Sequence, residues 1–129
     1  MENATALGIL FLLLLLQIKH AVCDGPLQTL WMLREKGFYG RPGGLAHAGI
    51  HGLGSLAAFL VFGMAALPSL ALALADSVVH YHVDFTKETV VRRNRWSADK
   101  PYFWWALTVD QLVHQFTYVA LAAAVIIWV

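Results

Sequence analysis

Eight histidine and aspartate residues fall into four pairs, each with its members four positions apart: His20 with Asp24, His47 with His51, His80 with Asp84, and Asp110 with His114. Residues at i and i+4 share one face of a helix, so each pair can present two donor groups in one direction. Neutral imidazole combined with carboxylate suits a divalent metal such as zinc, iron or manganese. The single cysteine, Cys23, excludes a thiolate-rich centre and an intrachain disulfide, and is itself expected to be inert. Eight ligand-type side chains exceed the need of one tetrahedral ion, which leaves a two-metal centre open.

Other polar residues surround these pairs in the sequence. Asp76, one turn before His80, and Asp110 are the candidate general bases. Gln28, Lys87, Gln111 and Gln115 are candidates for orienting the ligands. The competing reading of each glutamine is a hydrogen bond between helices. Lys87, three residues after Asp84, can pair with it or reach outward to the interface. His82 lies about 200° around a helix from His80 and is expected to face away. His47 and His51 have the spacing of the zinc-protease helix motif, but Ala48 stands where that motif has its glutamate. A protease of that type is therefore not expected. For the four pairs together, the competing reading is salt bridges and hydrogen bonds between helices, with no metal.

The elements that would position these groups are hydrophobic. The 129-residue chain is 59% hydrophobic and 13% charged, a departure from soluble domains toward the membrane class. A membrane helix needs about 20 mostly apolar residues. Four segments qualify: 4–22, 45–67, 68–87 and 102–129. Pro68 and Pro101 punctuate them, as suits the first turn of a helix. The expectation is one domain over residues 1–129, an all-α four-helix transmembrane bundle. The first segment lacks a positively charged leader and an A-x-A cleavage pattern, so it reads as a retained helix rather than a signal peptide.

All nine Lys and Arg residues fall on one side of such a bundle. Lys19, Arg34, Lys36 and Arg41 belong to the end of the first span and the first loop. Lys87, Arg92, Arg93, Arg95 and Lys100 belong to the end of the third span and the third loop. The positive-inside rule then places both loops in the cytoplasm and both termini outside. In the first loop, Gly25-Pro26 can open a short helix with Leu27, Leu30 and Trp31 as its apolar stripe, ended at Gly37. It reads as an interfacial helix on the cytoplasmic surface. Gly40, Gly43 and Gly44 read as a flexible link into the second span. Arg92, Arg93 and Arg95 read first as topology determinants, and more sharply as a docking place for anionic lipid head groups. Neither a basic helix nor an aromatic–basic platform suggests a nucleic-acid partner.

Depth ties the pairs together. In this topology they lie near the cytoplasmic ends of their spans, within roughly 15 Å of that face, with Asp110 and His114 slightly deeper. The first and third spans both end in His-x-x-x-Asp, a faint sign of two related helix hairpins. Small residues in the second span, including Gly49, Gly52 and Gly54, favour close helix packing.

The run from His20 through Asp24, Gln28 and Trp31, with Lys36 beyond it, resembles the opening of a bacterial integral membrane family, domain of unknown function 3307. The paired His47 and His51, the segment from His80 to Lys87, and the segment from Asp110 to His114 are similar to its later motifs. The resemblance covers His20 to the carboxyl terminus. Gly25 departs from it, standing where a bulky apolar residue is expected. The family has no established activity, so the resemblance implies architecture and bacterial origin alone.

The leading expectation is an inner-membrane protein holding a divalent metal near the cytoplasmic face, with metal-dependent hydrolysis as its reaction. The alternatives are an ion or proton transport module, a bundle holding haem between two histidines, and a small partner subunit without metal.

Overall fold

The computed structural model describes the backbone of residues 2–128 and the side chains of residues 5–127. Met1 and Val129, the ends of the expected domain, and the side chain of Ala4 lie outside the described residues. The chain is all-helical over what is described: α1 (Glu2–Asp24), α2 (Leu30–Glu35), α3 (Pro42–Phe62), α4 (Ala66–Arg93) and α5 (Pro101–Trp128). The four long helices pack in a closed ring, α1 on α3, α3 on α4, α4 on α5 and α5 on α1, with α2 laid against α3.

Three helices are long and apolar enough to cross a membrane: Thr5–Asp24, Pro42–Phe62 and Pro101–Ile127. α4 is long enough, at 28 residues, but it is not among them. The reason lies in its inward face, where Ser69, Asp76, His80 and Asp84 are all buried. Its outward face carries exposed Leu67, Leu70, Leu74 and Val78. Of the polar groups that lower its hydropathy, Ser69, Asp76, His80 and Asp84 point into the bundle, while His82, Thr86, Arg92 and Arg93 are exposed.

The distribution of polarity is inverted throughout. Leu7, Leu53, Phe116 and Ile127 stand exposed, while twelve polar or charged side chains are buried. Such a surface matches a hydrocarbon solvent, in which apolar side chains need no shelter. The interior divides along the bundle axis. One half is a dry plug of Leu12, Leu16, Phe59, Leu72, Tyr118 and Val125. The other half holds the histidines and aspartates.

Several boundaries differ from those expected, each for a local reason. α3 starts at Pro42, not Leu45, because proline suits the first helical position. Gly43 and Gly44 are therefore buried helical residues and not a flexible link. They allow α2 to approach: a Cβ on Gly43 would lie 2.9 Å from the Glu35 Cβ. α3 stops at Phe62, since Gly63 takes a left-handed φ of 98° and its N–H bonds the Leu60 carbonyl at 3.0 Å. α4 begins at Ala66, which leaves Pro68 in the first turn, where its missing N–H has no helical partner to lose. It runs on to Arg93, beyond Lys87. The short helix starts at Leu30 and not at Pro26, because the Thr29 hydroxyl caps it by accepting from the Met32 N–H at 3.3 Å. Its last residue is Glu35 with Lys36 as the C-cap, so the helix ends at Gly37 as expected.

Candidate metal centre

Each long helix delivers its pair to the polar half of the bundle. α3 is brought against α4 by small residues, and Gly52 is the tightest point: a Cβ there would meet the Ser77 Cβ at 3.0 Å. That approach sets the imidazoles of the two helices ring to ring. His51 and His80 stack with centroids 3.5 Å apart, and His80 stacks on His114 of α5 at 4.2 Å. His47, His51, His80 and His114 are all nearly or fully buried.

Two groups of side chains bring ligand atoms close enough to hold an ion. Asp24, His47, His51 and His80 form one, and His80, Asp84 and His114 form the other, each with its ligand atoms within 4.8 Å of one another. In the first group, Asp24 Oδ1 lies 3.0 Å from His51 Nε2 and 3.2 Å from His47 Nε2. His47 Nε2 lies 3.3 Å from His80 Nε2. A zinc–nitrogen bond of about 2.0–2.1 Å gives a tetrahedron whose edges are roughly 3.3 Å; these three separations match such an edge, and the remaining ones lie within the 4.8 Å that bounds the group. In the second group, Asp84 lies 3.5 Å from His80 Nε2 through one oxygen and 3.5 Å from His114 Nε2 through the other. Asp84 also reaches His47 Nε2 at 3.2 Å, so the two groups form one continuous cluster.

Among the described residues, His114 Nε2 and Asp110 Oδ1 are buried without a hydrogen-bond partner, although they lie only 3.6 Å apart. Buried polar atoms are almost always satisfied. Two unsatisfied ligand atoms at the edge of the second group fit a cation between or beside them.

His20 stands apart from both groups. The Gln111 amide nitrogen faces two carboxylates, Asp24 at 3.4 Å and Asp110 at 3.2 Å, which fixes its carbonyl oxygen toward His20 Nε2 at 2.9 Å. His20 Nε2 therefore carries the proton, and Nδ1 meets the Tyr118 hydroxyl at 2.7 Å. With both ring nitrogens engaged, His20 orients Asp24, 3.2 Å from its Nε2, rather than adding a ligand atom. Gln111 belongs to the same support.

The remaining polar residues sort by contact. Gln28 accepts from Lys36 Nζ at 2.8 Å and donates to the Asp24 carbonyl at 2.7 Å. Gln115 lies away from the cluster, hydrogen-bonded to Gln17. Lys87 pairs with Glu88 at 2.5 Å, while Asp84 takes its ammonium from Lys36 at 3.1 Å. Asp76 accepts from Lys19 Nζ and from the Ser55 hydroxyl, both at 2.6 Å, and lies in neither ligand group. His82 is exposed and turned away, bonded to Tyr39 at 3.2 Å. Cys23 is buried, its thiol 3.6 Å from the Ile50 carbonyl. Arg92 donates to the Gly37 carbonyl at 2.9 Å and lies over the Phe38 ring, whereas Arg93 and Arg95 are exposed.

Two lysines that charge patterning assigned to the cytoplasmic loops lie inside the bundle. Lys19 and Lys36 are 8% and 6% exposed. The carboxylates of Asp76, Asp84 and Asp110 are buried with them and Asp24 is half-buried beside the cluster, so carboxylates outnumber the two buried ammonium groups. Buried charge demands compensation, which a divalent cation or protonation would supply.

Among curated proteins and among solved structures, no match to this chain is found. A family model described as protein of unknown function (DUF3307) matches residues 10–129. Over that length, which takes in every residue of the cluster, the chain belongs to the DUF3307 family.

Proposed function

We propose that this is a multi-pass protein of the bacterial inner membrane that holds a divalent metal ion in its His/Asp cluster and uses it for hydrolysis near the cytoplasmic face. The observation that supports it best is the ligand geometry. Three imidazole nitrogens and one carboxylate oxygen, from the buried His47, His51 and His80 and the half-buried Asp24, converge within 4.8 Å of one another, with three of the separations at 3.0–3.3 Å. Zinc suits this donor set best, with iron or manganese as the nearest alternatives.

The second group suits catalysis. His80, Asp84 and His114 would supply three protein ligands, the number that leaves one position open in catalytic zinc sites. Both groups draw on His80 Nε2, so the ion would sit in one or the other, and in the second it would polarise water and the bond under attack. Asp110, with Oδ1 free of hydrogen bonds and 3.6 Å from His114, is placed to take the proton of that water. Asp76 is held by Lys19 and Ser55 and serves the packing of the interior instead.

Transport is favoured less. A relay needs polar groups across the whole bilayer. Beyond the Lys19–Asp76 pair the axis is filled by Leu12, Phe59, Tyr118 and Val125, all under 2% exposed. α4 is read as the fourth span, since α3, α4 and α5 pack side by side and the turn from Gly63 to Ala65 reverses the chain. The basic loops then favour the cytoplasmic side for the cluster.

Cobalt substitution tests the reading. Protein stripped with a chelator and refilled with Co²⁺ is expected to show the intense visible bands of a four-coordinate site, lost in His47→Ala. A spectrum no different from octahedral Co²⁺ in buffer would contradict it.

A further inference from the structure

A cavity of about 720 Å³ runs between α4 and α5. Its walls are apolar, formed by Val78, Val83, Val90, Ala106, Val109 and Val113. From Val78 to Val90 the helix rises about 18 Å, close to one leaflet of a hydrocarbon core of about 30 Å. At the end nearer the basic loop, Trp96 stacks on Tyr102, and Tyr102 meets Trp105 edge to face, both with centroids within 5.4 Å. Such aromatic groups mark the membrane–water boundary. Exposed Arg93 and Arg95 lie in the sequence between the lining residues Val90 and Trp96.

Lys87, His82 and Asp110 line this groove. Asp110 is 4% exposed, and on its other side it lies 3.6 Å from His114 of the ligand cluster. The groove and the cluster thus share Asp110 as a common wall. An apolar channel one leaflet long, facing the hydrocarbon of the bilayer, excludes water-soluble occupants along most of its length.

We infer that this groove binds the hydrocarbon chain of an anionic, phosphate-bearing lipid, with the head group at Lys87 and Asp110 beside it. The cations at that end, Lys87, Arg93 and Arg95, select a negative head group. Lys87 exchanges its contact with Glu88 for the phosphate. Reading this lipid as the substrate rests on the metal proposal above. Binding of the chain does not.

Full-length protein in phosphatidylcholine vesicles containing phosphatidic acid with a photoreactive acyl chain provides the test. Crosslinked peptides are mapped by mass spectrometry. Adducts are expected to concentrate on α4 and α5 between Val78 and Val113. Ala106→Trp or Val109→Trp, which fill the groove, should remove most of them while bound metal per chain stays unchanged. Unlabelled phosphatidic acid should compete, and phosphatidylcholine or inorganic phosphate should not. Lys87→Gln should weaken that competition about tenfold, the loss of one charged contact. Adducts spread evenly over the exposed faces of α1, α3 and α5, or insensitive to both tryptophan variants, would overturn the site. Equal competition by phosphatidylcholine would overturn the choice of an anionic head group. Competition by inorganic phosphate alone would overturn the role of the hydrocarbon chain. Metal-free protein that keeps localised adducts upholds the groove and removes only the catalytic reading.

Discussion

His80 lies face to face with His51, their ring centroids 3.5 Å apart and their planes 21° from parallel, and it carries the only imidazole shared by both ligand groups among the described residues. The stack joins α3 to α4 at the polar end of the bundle. His80→Ala is therefore expected to cut metal affinity more than any other single change in the cluster, by at least about 100-fold, above the range typical of residues that only support a ligand. His82→Ala, two positions away and exposed, should leave affinity unchanged. Competition against a chromogenic chelator measures both. Equal effects from the two variants would remove His80 from the site.

His20 and Gln111 act through Asp24. Replacing either by alanine should weaken metal binding by roughly 10–100-fold without abolishing it. Tyr118→Phe, which leaves His20 Nδ1 without its hydroxyl partner, should cost about 1 kcal/mol of stability or less than tenfold in affinity. A complete loss of metal in His20→Ala would make His20 a ligand after all.

The Lys19–Asp76 pair is buried on both sides, with 7% and 2% of the two side chains exposed. Lys19→Ala leaves Asp76 uncompensated and should destabilise the fold by about 3–5 kcal/mol. Lys19→Met with Asp76→Leu removes both charges and should recover most of that loss. Thermal unfolding in detergent distinguishes the two. A single variant as stable as the parent would show that the pair contributes nothing.

How much of this was legible in the sequence follows from what is local. The pairs His47/His51, His80/Asp84 and Asp110/His114 need only helical spacing to share a face, and the structure brings all six together. Their common depth followed from span direction. His20 was equally visible as a member of a pair, but its role depends on Tyr118 and Gln111, some ninety residues away. Lys19 and Lys36 were hidden for the same reason, since nothing local pairs them with Asp76 and Asp84. Their burial is decided by helices that meet across the bundle. The start of α3 at Pro42 and the Thr29 cap were readable signals, overridden by the run of glycines and by Pro26. α4 shows the opposite effect: Ser69, Asp76, His80 and Asp84 depress its hydropathy although they serve the interior.

Orientation can be read by labelling. In cells, a cysteine introduced at Ser97, with Cys23 replaced by alanine, should resist a membrane-impermeant thiol reagent until the inner membrane is opened. Immediate labelling from outside would reverse the topology and place the cluster at the other face.

Elemental analysis of the purified protein tests the central claim most directly. Metal quantified against protein by mass spectrometry, after growth with zinc, iron and manganese supplied, should give at least one divalent transition metal per chain, falling to background in His47→Ala and His80→Ala. A parent protein with no stoichiometric metal, and no uptake when each ion is added back, would contradict the account and leave the cluster as a hydrogen-bonded interior alone.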